Sequence, residues 1–280
     1  MNETLPMVVT TITRRGSGQN YLRGAVVPAL LVMAVPMCAA GAEPERRGNW
    51  SVTLGAGALL TPEYEGSDEM TVEPIPFVSV EWKDRVFFDV RRGLGVNVVR
   101  TDRFTMGLSL GYRPGRDEDD NDRLRGLGDI DDAAQGHLFA SYELGRYRGL
   151  GTVSLGAELE QDFGGGDGMT ISPGIAFEHQ LSNSVSLSTE LSATWAGDDE
   201  MSTYFGISPE QAARSGLQAY EAESGFKRAD LDLALTWQIS DRWFTRTHAG
   251  VGYLMGDAAD SPITVEKVQP QVGFFVGYRF

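Results

Sequence analysis

Gln271-Val-Gly-Phe-Phe-Val-Gly-Tyr-Arg-Phe280 is the stretch that decides the fold. Val272, Phe274, Val276, Tyr278 and Phe280 alternate with Gln271, Gly273, Phe275, Gly277 and Arg279. A strand sends successive side chains to opposite faces, so one face is apolar and aromatic. The other, Phe275 apart, is small or charged. About ten residues is also what a tilted strand needs to cross a bilayer. On this stretch alone two architectures stay open, the last strand of a soluble sandwich and a strand of a membrane barrel.

The same alternation runs back through the chain to Trp50. Val52, Leu54, Ala56, Ala58 and Leu60 alternate with Ser51, Thr53, Gly55 and Gly57, and Leu231, Leu233, Leu235 and Trp237 with Asp230, Asp232 and Thr236. No helical period of comparable length competes. The connections alternate too. Tight turns are expected at 83–84, 101–102, 146–148, 182–184 and 240–241, and longer polar loops at 61–69, 113–132, 163–167, 198–227 and 255–268. Short turns at one end and long loops at the other is the outer-membrane barrel pattern, which a sandwich has no reason to show. With a further tight turn at 92–95 the count is twelve strands, ten if 85–100 is one kinked strand. Pro74 and Pro76, two apart within a strand, predict a bent or locally unpaired segment.

The start of the chain fits an exported protein. Arg14, Arg15 and Arg23 precede an apolar run from Ala25 to Ala40, followed by Ala40-Gly41-Ala42. This reads as a signal peptide over residues 1–42, cleaved after Ala42 or alternatively Ala40, with residues 43–280 as the barrel. The long basic region leaves Met7 or another downstream codon as an alternative start. The only cysteine, Cys38, lies inside this segment. Met37 stands where a lipoprotein signal expects a small residue. The mature part then carries neither disulfide nor thiolate chemistry.

Net charge is −15, falling to −17 once Arg14, Arg15, Arg23 and Glu3 are removed. That balance excludes nucleic acid as a partner. Mean hydropathy is −0.21, and the mature part has no long apolar run, which excludes a helical membrane protein. A barrel remains, because only every second strand residue faces lipid. Trp50, Trp82, Tyr112, Tyr142, Trp195, Trp237, Trp243 and Tyr253 fall near strand ends, where interfacial girdles sit. Their alternative reading is cross-strand aromatic packing. Glu143, Glu158, Glu160, Glu178, Glu190, Asp230 and Asp232 fall on the inward face with Arg91, Arg246 and Arg279. Such charges require a wet lumen or partners. The fold expectation is all-β, a single antiparallel transmembrane β-barrel.

Several loops are more specific. Thr61-Pro-Glu-Tyr-Glu-Gly-Ser-Asp68 precedes Pro74-Ile-Pro76, and Gly111-Tyr-Arg-Pro-Gly-Arg116 leads to Leu124-Arg-Gly-Leu-Gly-Asp-Ile-Asp131. Tyr204-Phe-Gly-Ile-Ser208 precedes Ala213-Arg-Ser-Gly-Leu217, and Ser261-Pro-Ile263 precedes the last strand. In this order the set resembles the MipA/OmpV family of outer-membrane proteins over nearly the whole mature chain. Pro62, Tyr64, Gly66, Ser67, Asp68, Gly115, Arg116, Gly126, Ser215, Gly216, Ser261 and Pro262 carry the resemblance. It implies the outer membrane of a Gram-negative cell, with lipid and lipopolysaccharide around the barrel and a periplasmic C-terminus. The terminal strand, with Tyr278 and Phe280, resembles the signal read by the barrel assembly machinery. For its best-known member the family implies a non-enzymatic scaffold joining a lytic transglycosylase to a murein synthase, while other members look like adhesins or are linked to antibiotic and osmotic responses. It brings no catalytic residues and no cofactor.

Three histidines, His137, His179 and His248, are available for other chemistry. His248 and Ser261 are the one serine–histidine pair that could approach, and no third partner or oxyanion donor is suggested. A satisfied lumen histidine is the simpler reading. Asp117 to Asp122 echoes a calcium loop but has Asp122 where glycine is required and Gly128 where a bidentate Glu is required. It reads as a solvated loop. Gly164 to Gly168 reads as a flexible hairpin tip. Ser208 caps an expected short helix over Pro209 to Arg214. The 198–227 loop is long enough to fold inward as a plug or outward as a docking surface. Besides the scaffold, a cation-favouring pore and an adhesin using the outer loops remain open.

Overall fold

The computed structural model describes residues 49–280, so the segment read as a signal peptide lies outside the described residues. The strands are β1 (Trp50–Pro62), β2 (Met70–Trp82), β3 (Val86–Asp89), β4 (Gly93–Arg100), β5 (Phe104–Arg113), β6 (Ala133–Tyr147), β7 (Gly151–Phe163), β8 (Met169–Gln180), β9 (Val185–Ala196), β10 (Gly225–Gln238), β11 (Trp243–Leu254) and β12 (Val268–Arg279). Each pairs antiparallel with its sequence neighbours, and β12 closes on β1 through Thr53↔Arg279 to Leu60↔Val272. The result is a closed barrel of 12 strands. Three short helices, α1 (Asp198–Phe205), α2 (Pro209–Ser215) and α3 (Gly256–Asp260), lie in the long loops.

The period-two pattern becomes an inside and an outside. Leu54, Leu60, Leu108, Leu138, Leu155, Leu191, Leu233, Val272 and Phe274 all point outward and are exposed. A belt of that size is untenable in water and natural against acyl chains. Near the short-turn end Trp50 pairs with Trp82, and Tyr278 stacks edge-on between Trp243 and Phe280. Tyr112, Phe163, Phe226 and Tyr253 lie exposed near the long-loop end. The β2–β3 turn places both Lys83 and Asp84 at positive φ, 50° and 55°. That is the backbone twist a two-residue hairpin between right-twisted strands demands.

Inward glycines make room for inward rings. A Cβ on Gly277 would meet the Phe244 ring at 2.2 Å, and one on Gly107 the Phe139 ring at 2.4 Å. Phe87 packs edge-on against Phe139, and Phe77 against Phe244. The small face seen in the terminal strand therefore reflects packing inside the barrel and not an empty bore.

The tight turn expected at 92–95 lies instead at residues 90–92, between β3 and β4. Asp89 fixes it, its Oδ1 accepting from Arg91 N at 2.9 Å and Arg92 N at 2.7 Å. Gly93 then supplies the φ of 72° that resumes the ladder. Because this hairpin is short, β2 meets β3 only from Ser79 to Trp82. Above Ser79, among the described residues, β2 is paired only with β1. Lys83 N donates to Asn49 O and Arg85 N to Trp82 O. By alternation, odd residues of β2 bond β1 and even residues face the other edge. Pro74 and Pro76, both even, thus lack their N–H on the one edge where no strand would receive it. The expected unpairing is real, but on one side only.

Replacing Gly277 by Leu should force the Phe244 ring aside and destabilise the barrel by about 1–3 kcal/mol. Denaturant unfolding in detergent would measure it, and an unchanged midpoint would show that the lumen has slack there.

Candidate functional site

The long-loop end is a folded cap. Tyr64, Leu124, Leu127, Ile207 and Ile263 come from four different loops and form one small apolar core. Met201, Phe205, Ala222, Leu254, Ala258 and Ala259 form a second around α1 and α3. Polar bonds staple the loops together. Tyr64 donates its hydroxyl to Ile263 O at 3.0 Å, and Ser261 its hydroxyl to Phe205 O at 2.6 Å. Arg116 Nη1 reaches Tyr204 O at 3.2 Å, and Arg123 donates to Pro262 O. Asn121 Nδ2 bonds Glu63 and Glu69, drawing the 114–132 loop across the β1–β2 loop. Burial pushes the Tyr64 hydroxyl up to about 12, so it stays protonated and a donor.

The residues of the ordered motifs meet here. Gly66, at φ 105°, gives its N–H to Gln269 Oε1, and Ser67 accepts from Glu69 N. Gly115 N–H bonds Asp132, and Gly126, at φ 84°, lies against Arg214 and Ser215. Ser208 and Gln211 form a capping box for α2, which ends on Gly216 in the left-handed region. Pro62 ends β1, and Asp68 is exposed beside the cap. The Gly164–Gly168 run, expected as a flexible tip, is instead packed. Gly166 lies against Thr203, and a Cβ on Gly168 would meet Glu200 Oε2 at 2.4 Å.

Below the cap stands a network of buried charges. Glu200, on α1, is 0% exposed. Arg113 of β5 donates to both its oxygens, at 2.8 and 3.0 Å, and to Asp162 Oδ2 at 2.6 Å. Lys227 of β10 bonds Glu200 at 2.8 Å and Glu65 at 3.1 Å, while Arg228 bonds Asp230 at 2.6 Å. A cavity of about 150 Å³ lies among these groups, lined by Arg113, Arg116, Glu200, Lys227 and Asp230. It has room for a few waters. Burial alone would raise the Glu200 carboxyl, but Lys227 and Arg113 outweigh it and hold the group down at about 2.

Deeper in the lumen Arg92 grips Glu158 with two bonds of 3.1 Å, its guanidinium stacked on Phe139. His137 faces Glu158 and Glu160, and His248 Nε2 lies 2.9 Å from Asp232. Glu178 and Arg246 lie within electrostatic range of each other lower down, Glu190 is buried, and Glu143 faces inward near the short-turn end. All the carboxylates expected inside are thus on the inner wall. His248 and Ser261 are not brought together, because Ser261 is spent on Phe205 O. His179 lies on the outward phase of β8. The acidic 117–122 run satisfies its own loop backbone, with Asp117 accepting from Asp119 N and Asp120 from Asp117 N. The partners that the sequence pattern missed are Arg92, Arg113, Lys227 and Glu200. Three lie at strand ends or turns, and Glu200 sits in a long loop.

Twelve antiparallel strands, an apolar exterior, a charged interior and loops sorted by length define a β-barrel of the outer-membrane class. The chain belongs to the family described as MltA-interacting protein MipA, whose model matches residues 54–280. It is 23% identical over 268 residues to the MltA-interacting protein of Escherichia coli (strain K12), covering 90% of this chain and 98% of that protein. The same figures hold for the Shigella flexneri protein of that name. Among solved structures it is similar to the COG4313 outer membrane channel from Pseudomonas putida F1, at 12% identity and a TM-score of 0.42, covering 87% of this chain and 98% of that one. It is also similar to the KdgM porin, at 8% identity and a TM-score of 0.36, covering 82% and 99%.

Glu200 carries a folded-state pKa of about 2 against an ordinary 4.5. Its stabilising contribution is therefore full above about pH 4.5 and lost as pH falls toward 2, on the order of 3 kcal/mol. Glu200→Gln should release the 197–224 loop to protease at neutral pH and abolish that acid transition. Equal protease resistance in the variant would mean that the apolar clusters hold the cap alone.

Proposed function

We propose that this barrel is a non-enzymatic outer-membrane scaffold that docks murein-processing enzymes, a lytic transglycosylase and through it a murein synthase. In this reading the long loops face lipopolysaccharide, and the short turns and the C-terminus face the periplasm. Lipid surrounds the wall, and Tyr278 and Phe280 guide the assembly machinery. The name of the relatives, MltA-interacting protein, supports partner binding of this kind.

The observation that carries the proposal is the charge of the short-turn end. Lys83, Arg85, Arg100, Arg103, Arg146, Arg148 and Arg242 stand exposed there, against Glu81, Asp84, Asp102, Asp241 and the carboxylate of Phe280. The whole chain is strongly acidic, so this basic rim is a local reversal of sign. It offers an acidic partner both long-range steering and a docking edge, although the turns themselves are short. The pore reading loses part of its motive, because Glu158 and Asp230 are each bonded to a guanidinium. The adhesin reading keeps the outer surface of the cap. Deleting residues 198–227 would not test it cleanly, since the deletion would remove Glu200 and Phe205.

The immobilised barrel should capture a lytic transglycosylase of the MltA kind from solubilised envelopes. The triple variant Arg85→Glu, Arg103→Glu, Arg148→Glu should capture it about tenfold less well, with a lost salt dependence. Capture that ignores the reversal would move docking off the rim, and absence of capture by the wild type would overturn the scaffold.

A further inference from the structure

Beneath the cap, β6 and β7 bring three ligand-type groups to one point. His137 stands directly opposite Glu160 in their ladder, and Glu158 precedes Glu160 by two residues on the same inward face. His137 Nδ1 lies 3.2 Å from Glu158 Oε1 and 3.5 Å from Glu160 Oε1. All three ligand atoms fall within 4.8 Å of one another. The histidine is 5% exposed, and among the described residues neither ring nitrogen has a hydrogen-bond partner. Nδ1 is therefore close to both carboxylates without the direction of a hydrogen bond to either. A tetrahedral ion about 2.0–2.2 Å from each donor would hold them about 3.3–3.5 Å apart, close to the two distances from Nδ1.

The surroundings point the same way. Thr170 Oγ1 donates to Glu160 Oε2 at 3.0 Å, which leaves Oε1 turned toward the histidine. A bond of this kind fixes the orientation a ligand carboxylate needs. Glu190, 3% exposed, has a buried Oε1 with no partner among the described residues and lies within electrostatic range of Glu158, Asp232, Arg91, Arg92 and Arg246. A carboxylate-rich stretch of inner wall of this kind attracts a cation. Arg92 uses one oxygen of Glu158 through Nη2 and shares the other through Nε, so Oε1 keeps a lone pair for a metal.

We propose that His137, Glu158 and Glu160 form a binding site for one divalent transition-metal ion of the zinc class inside the barrel. One imidazole with two carboxylates is a donor set that zinc and its neighbours accept, and hard cations such as calcium favour less. The fourth position faces the lumen and takes water. The ion would tie β6 to β7 at the level where Arg92 crosses from the β3–β4 turn, closing the bore further.

The test titrates Zn²⁺ into chelator-stripped, folded barrel in detergent, by calorimetry, with heat-modified gel migration as the check on folding. The wild type should bind one equivalent. His137→Gln and Glu160→Gln should each bind at least about tenfold more weakly, and Glu143→Gln, inward-facing but remote, should bind as the wild type does. X-ray absorption of the loaded wild type should show one imidazole among oxygen donors, which decides the matter even if a variant fails to fold. Absence of stoichiometric binding, equal affinity in the two site variants, or a metal shell without imidazole would each overturn the proposal.

Discussion

Glu200 is the carboxylate on which the upper half of the molecule depends. It is carried by a loop helix, is fully buried, and is gripped by Arg113 of one wall and Lys227 of another. Charges taken out of water are costly unless paired and hydrogen-bonded. Withdrawing α1 would leave Arg113 and Lys227 short of their counter-ion inside a low-dielectric space. The loop is therefore held down by the wall, and two small apolar cores form around that anchor. Electrostatics fixes where α1 sits, and apolar burial then makes the cap firm.

The same constraint shapes the rest of the lumen. A barrel wall satisfies its own backbone, so specificity inside rests with side chains alone. Toward the short-turn end rings sit over glycines. At mid-height the Arg92–Glu158 pair crosses the bore, and near the top the Arg113, Lys227 and Arg228 groups meet Glu65, Glu200 and Asp230. Each layer fills space that an open channel would need.

The wall was legible in the sequence because lipid and lumen impose a strict period of two, from Trp50 to Phe280. The length of each connection then gave the order of the strands. The β3–β4 turn was misplaced by about two residues, because a side-chain bond from Asp89 sets it and hydrophobicity does not. Pro74 and Pro76 were readable as a defect in pairing, but only the register shows which edge is open. The inward carboxylates were also legible, as the polar phase of their strands. Their partners were not, because pairing across a lumen depends on strand stagger and on where a loop folds back. Asp198-Asp199-Glu200 looks like one solvated run, yet two members stay outside and the third is the anchor. Likewise Glu158 and Glu160 announce a shared face, while the histidine opposite them appears only with the ladder.

The central claim is that this barrel is closed by its own buried charges. Single-channel recording of the complete mature protein in a planar bilayer tests it most directly. The account predicts no steady conductance for the wild type at neutral pH. A stable, ohmic, cation-selective current through the unaltered protein would contradict it.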